Sequence, residues 1–80
     1  MSDDDLAERV ARLGRRALEL EKQLDEGSID SDTARREGLV LVEVGRSFIP
    51  HVKASGDAAL EAELRQALIR AHRAARLKIV

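Results

Sequence analysis

Between Gly38 and Gly45 lie six residues, Leu39 to Val44, of which five are Leu or Val. This stretch constrains the fold more than any other, because it reads two ways. As a strand, it sends Leu39, Leu41 and Glu43 to one side and Val40, Val42 and Val44 to the other. The chain offers no second run to pair with it, so a second copy would have to supply the neighbouring strand. As part of a helix from Ser31 to Ile49, the same residues fall into register with their flanks. Ala34, Gly38, Leu41, Gly45 and Phe48 then form one line, with Val40, Val42, Val44 and Ile49 beside it. Arg35, Arg36, Glu43, Arg46 and Ser47 collect on the opposite face, and Leu39 is the one misfit. The helix accounts for the polar positions as well as the apolar ones. Its β-branched residues cost only about a few tenths of a kcal/mol each. The chain is therefore read as all-α; the alternative is an α-β-α arrangement with residues 39–44 as a strand paired across a dimer.

The first segment is plainly helical. Leu6, Val10, Leu13, Ala17, Leu20 and Leu24 recur in an unbroken heptad-like pattern. Ser2 and Asp5 have the spacing of a capping box, Asp3 to Asp5 suit the positive end of a helix dipole, and Gly27 is placed to close the helix. Ala7, Ala11, Gly14 and Leu18 widen the apolar arc, while Arg9, Arg12, Arg15, Arg16, Glu8 and Glu19 hold the other side. Glu21 falls inside the apolar sector, either at its edge or opposite an arginine across an interface.

Two breaks divide the chain, one at Glu26–Ser31 and one from Pro50 to Asp57. Asp30 or Ser31 is a natural cap for the second helix, and Asp57 for the third. Pro50 is expected to end the second helix at Ile49, since its ring clashes with the preceding turn; the alternative is a kinked helix continuing to Lys53. The third helix buries Leu60, Leu64, Ala67, Leu68, Ala71, Ala74 and Ala75. These signals predict a single helical domain over residues 1–80. It is a small three-helix antiparallel bundle with helices at about 3–26, 31–49 and 57–78, completed by self-association.

Glycine inside a helix costs about 1 kcal/mol relative to alanine, so Gly38 and Gly45 call for a compensating gain. They are seven residues apart and share a stripe with Ala34. Such a stripe admits another backbone, and helix 1 offers Ala7, Ala11 and Gly14 as the matching small residues. The expectation is close packing of helices 1 and 2 through Ala7, Ala11, Gly14, Ala34, Gly38 and Gly45.

After Glu63 the chain has no acid, while Arg65, Arg70, Arg73, Arg76 and Lys78 add five positive charges. Arg65, Ile69, His72, Arg73 and Arg76 share a face, and an apolar residue among cations marks a candidate partner-binding surface. The terminal Leu77-Lys78-Ile79-Val80 adds apolar side chains near the chain end, and Ile79 can also continue the internal seam.

The chemistry available is narrow. The chain has no Cys, Trp or Tyr and only one Phe, which excludes disulfides, thiolate sites and an aromatic base-stacking platform. His51 and His72 stand too far apart for a helical metal pair. The acidic stretch from Asp25 to Arg36 lacks the glycine and the closing glutamate of a calcium loop. No phosphate loop, nucleophile elbow or dinucleotide fingerprint is present. No catalytic, cofactor or metal role is assigned. The net charge is −1 with 36% charged residues, no apolar run reaches membrane-spanning length, and the acidic stretch Met1 to Asp5 reads as no signal-peptide h-region. The expectation is a cytoplasmic, bacterial or phage protein that is not an enzyme. It is read as a self-associating interaction module that binds a protein partner, as an adaptor, chaperone-like protein, inhibitor or accessory subunit. The alternative is a small nucleic-acid-binding regulator using the basic third helix.

Overall fold

The Leu6-to-Leu24 seam organises the first helix of the structure, a computed structural model that describes residues 3–76. Helix α1 spans Asp3–Glu26. Leu6, Val10, Leu13, Ala17 and Leu20 are buried along it, and Leu24 is half-buried. Gly27 closes α1 at φ 71°, a left-handed conformation that costs other residues a Cβ clash. The Ser28 N–H donates to the Gln23 carbonyl at 2.9 Å and the Gly27 N–H to the Leu24 carbonyl at 3.2 Å, which satisfies the last turn. The expected box between Ser2 and Asp5 lies outside the described residues, as does the Leu77-to-Val80 tail.

Helix α2 spans Ser31–Ser55, and residues 39–44 lie inside it. No strand occurs among the described residues, so the α-β-α alternative is set aside. Asp30 caps the helix, its carboxylate accepting from the Thr33 N–H at 2.9 Å. Hydrogen bonding from Thr33, side chain first and backbone second, holds the Asp30 carboxyl below its ordinary value. A lowered carboxylate pKa stabilises the fold above the ordinary aspartate range, and that contribution is lost as pH falls through the lowered value.

Pro50 does not end α2 at Ile49 as expected. The helix continues through it to Ser55 and closes on Gly56, at φ 69°. The reason is the apolar stripe, which runs on past the proline: Ala34, Gly38, Val42, Gly45, Phe48 and Val52 are all buried. Stopping at Ile49 would expose Val52, and burying a residue of that kind is worth about 1.5–3 kcal/mol. Pro50 itself is exposed, as is Arg46. The carbonyl that lacks its usual N–H partner therefore sits on the solvent side, where the loss is smallest.

Helix α3 spans Ala58–Ala75. Asp57 caps it, accepting from the N–H groups of Ala59 at 3.0 Å and Leu60 at 3.2 Å. It ends three residues short of the expected 78, because Arg76 takes the left-handed conformation at φ 57° and directs its N–H to the Arg73 and His72 carbonyls.

The three helices pack as an antiparallel bundle, with α3 against both others. Side-chain size sets how α2 and α3 meet. Along α2 the buried line grows from Ala34 and Gly38 to Phe48 and Val52; along α3 it shrinks from Leu60 and Leu64 to Ala71, Ala74 and Ala75. Running antiparallel, the two small ends coincide and the two large ends coincide. The large ends join Leu6, Val10 and Leu13 in one core cluster, and Leu20, Ala34 and Ala74 form a second.

This taper corrects the expected packing of the glycines. The notch at Gly38 faces α3, not α1. A Cβ at Gly38 would lie 2.7 Å from the Ala75 nitrogen and 2.9 Å from the Ala71 carbonyl oxygen. At Gly45 a Cβ would meet the tip of Leu68 at 2.5 Å and Leu13 at 3.2 Å. The small residues of α1 take no part in a close approach: Ala7 is exposed, Ala11 and Gly14 are half-buried, and nothing lies within 4 Å of a Cβ at Gly14. Each of Ala7, Ala11 and Gly14 follows a seam residue by one position, and one position turns about 100° away from the seam.

Gly38→Ala is therefore expected to destabilise by about 1–3 kcal/mol despite the better helix propensity of alanine, because backbone atoms of α3 must move. Gly14→Ala meets open space and is expected to stabilise by up to about 1 kcal/mol. Urea unfolding followed by far-ultraviolet dichroism measures both; a Gly38→Ala chain more stable than the parent would show that α2 and α3 do not touch there.

Candidate interaction groove

Among the described residues, four large apolar side chains remain substantially exposed: Leu18 at 50%, Leu39 at 41%, Val40 at 55% and Val44 at 40%. The two valines are neighbours by helical spacing, four residues apart on α2. They stand on the flank of α2 that faces α1, because the glycine line beside them is turned toward α3. Together with Leu41 and Phe48 they floor a groove between α1 and α2.

The groove has two continuous parts. One, of about 390 Å³, is lined by Arg9, Arg12, Leu13, Arg16, Leu41, Val44 and Phe48. The other, of about 270 Å³, is lined by Arg16, Arg36, Glu37, Val40 and Leu41. Arg16 and Leu41 belong to both. The lining thus carries four arginines and one glutamate in a chain whose net charge is −1. Arg16 donates to Glu37 at 2.6 Å, linking α1 to α2. Arg12 pairs with Glu8 at 3.0 Å on the outer surface of α1. Among the described residues no acid lies within ion-pair distance of Arg9 or Arg36, and the Arg36 charge also acts on the Asp30 carboxylate.

The basic face of α3 is organised differently. Arg65 lies 3.6 Å from Glu61 and Arg73 lies 3.5 Å from Glu21, while Arg76 donates to the Ser31 hydroxyl at 3.4 Å. Ile69 and His72 are half-buried. The His72 Nδ1 atom is buried without a hydrogen-bond partner among the described residues. Glu21, whose place in the apolar sector was open, answers two cations of α3, Arg73 and, at 4.0 Å, Arg70. Its Oε2 atom accepts no hydrogen bond, so the attraction is one of charge alone. Around the partly covered Ile69, Arg65, Arg73 and Arg76 stay exposed, with Arg65 and Arg73 each in loose contact with one acid.

A further cleft of about 310 Å³ between α2 and α3 is floored by Ile49, Val52, Leu64 and Leu68, with Lys53, Glu61 and Arg65 at its rim. Its charges are mixed, and two of the three pair with each other. No group of three His, Asp or Glu side chains converges as a metal site among the described residues. No described helix is long and apolar enough to cross a membrane.

Sequence reasoning pointed to the basic face of α3 and did not single out the α1/α2 groove. The available signal was Val40 and Val44 on the flank of a helix whose glycine line already filled its buried face. The chain matches no protein-family model, no curated protein and no solved structure.

The Arg16–Glu37 pair has both side chains 37% exposed, which places it among partly solvated ion pairs. A double-mutant cycle of Arg16→Ala and Glu37→Ala is expected to give a coupling of about 0.5–1 kcal/mol that shrinks in high salt. A coupling of zero at low salt would mean that the pair does not tie α1 to α2.

Proposed function

We propose that this chain is a non-enzymatic helical interaction module that holds a segment of a protein partner in the groove between α1 and α2. The observation that carries the reading is the exposure of Val40 and Val44 in a shallow groove beside Leu41. Exposed apolar side chains scattered singly are ordinary; a contiguous apolar floor with a polar rim is how protein surfaces bind other proteins. Adaptor, chaperone-like, inhibitory and accessory roles all use such a surface. Self-association belongs to the same proposal and draws on Leu18 and Leu39, which are exposed outside the groove lining.

A nucleic-acid regulator working through α3 has less behind it. Arg70 and Arg73 are shared with Glu21, and Arg65 with Glu61. These acids lower the net positive charge of the face that phosphates would meet, and an apolar floor adds little to such binding.

Affinity capture from lysate tests the reading, with the parent chain compared with Val44→Asp. The parent is expected to retain a protein that the variant loses, with both chains equally helical by dichroism. Retention of the same proteins by both would contradict a role for the groove. Sedimentation equilibrium at a concentration on the order of tens of micromolar is expected to give at least a dimer, weakened by Leu18→Glu or Leu39→Glu; a stable 8.8 kDa monomer would remove self-association from the proposal.

A further inference from the structure

We infer that the occupant of the α1/α2 groove is an amphipathic helix whose apolar stripe is flanked by Asp and Glu. This rests on the reading of the groove as a protein-binding surface and narrows it to one ligand chemistry. The floor supplies the first half of the argument. Val40, Leu41 and Val44 line a shallow, open groove between two helices, a surface on which an amphipathic helix can lay its apolar face. Lining residues extend from Arg36 to Phe48 on α2, a rise of about 18 Å, which matches three to four turns of a bound helix.

The rim supplies the second half. Arg9, Arg12 and Arg16 recur at intervals of three and four along α1, so they form a line beside the floor. Arg36 adds a fourth cation on the α2 side. The one acid in the lining, Glu37, shows what this rim accepts: its carboxylate already sits on Arg16 at 2.6 Å. A partner carboxylate can make the same contact at Arg9 or Arg36. Arg12 meets Glu8 through a single guanidinium nitrogen and keeps further N–H groups to offer.

Two other ligands of acidic character fit less well. A nucleic-acid backbone would leave the valine floor without an apolar partner, and the groove has no exposed aromatic ring on which bases could stack. An anionic bilayer takes up a broad apolar face, whereas here two exposed valines lie in a narrow groove between arginines.

Two labelled helical peptides of about 14 residues test the inference, sharing one Leu stripe and carrying either Glu or Lys on both flanks. Fluorescence anisotropy against the full chain is expected to show the Glu peptide binding at least about tenfold more tightly than the Lys peptide, with affinity falling as salt rises. Arg9→Glu combined with Arg12→Glu is expected to weaken the Glu peptide by about tenfold, the scale of two lost surface ion pairs, and to favour the Lys peptide. Dichroism and thermal melts confirm that the variant keeps the parent fold; Arg9→Gln with Arg12→Gln is the second variant, expected to weaken the Glu peptide without favouring the Lys peptide.

Equal binding of the two peptides, binding of neither, or indifference of the Glu peptide to charge reversal would overturn the inference. So would tighter binding of duplex DNA or of phosphatidylserine vesicles than of the Glu peptide. A dimer that dissociates in Arg9→Glu/Arg12→Glu would overturn it too, by giving the groove to a second copy. If the Val44-dependent capture succeeds while the Glu peptide fails, the ligand chemistry is wrong and the interaction module stands; if the capture fails, the module itself is wrong.

Discussion

The bundle turns on the contact between the missing side chain of Gly38 and the backbone of α3 at Ala71 and Ala75. With 2.7 Å between a notional Cβ and the Ala75 nitrogen, the position has no room for an alanine. A glycine there gives up about 1 kcal/mol of helix propensity, and the backbone approach it permits offsets that cost through dense packing at the small-residue end. The approach also fixes the rotation of α2 about its axis. Once the line of Ala34, Gly38 and Gly45 faces inward toward α3, Val40 and Val44 are carried to the α1 side and left partly uncovered. The site and the core are two consequences of one rotation.

The same rotation explains why a proline is tolerated inside α2. Pro50 falls on the exposed side while Phe48 and Val52 fall on the buried side. The lost hydrogen bond is a solvent-side loss, and the apolar stripe that continues past it is a core gain. The helix runs on because burial at Val52 outweighs a defect that water can heal.

Much of this was legible in the residues. The seam of α1 and its end at Gly27 follow from regular spacing and one positive-φ position, both local properties. The helical reading of 39–44 followed from asking where the polar residues go as well as the apolar ones. What could not be read was non-local. The glycine stripe announced a close approach without naming the neighbour, and Ala7, Ala11 and Gly14 were plausible partners until the size gradients of α2 and α3 were laid antiparallel. The end of α2 was misplaced because a local rule about proline was weighed without knowing which face Pro50 would occupy. The end of α3 depends on a left-handed arginine, which no propensity signals. Glu21 stands 3.5 Å from Arg73 of α3 in the fold, which is one of the two places the sequence left open for it. The groove was hidden because it is non-local: Arg9, Arg12 and Arg16 read as a solvated face of α1 until α2 brought Val40, Leu41 and Val44 beside them.

The tapered interior and the arginine-rimmed groove between α1 and α2 both depend on how α2 is rotated against α3. Nuclear Overhauser contacts from the Gly38 α-protons test that rotation most directly. Strong cross-peaks to the Ala75 amide and methyl protons are the expected result, with helical carbon shifts from Ser31 to Ser55. Cross-peaks from Gly38 to Ala7, Ala11 or Gly14 in their place, or extended shifts across 39–44, would contradict the packing and remove the groove that follows from it.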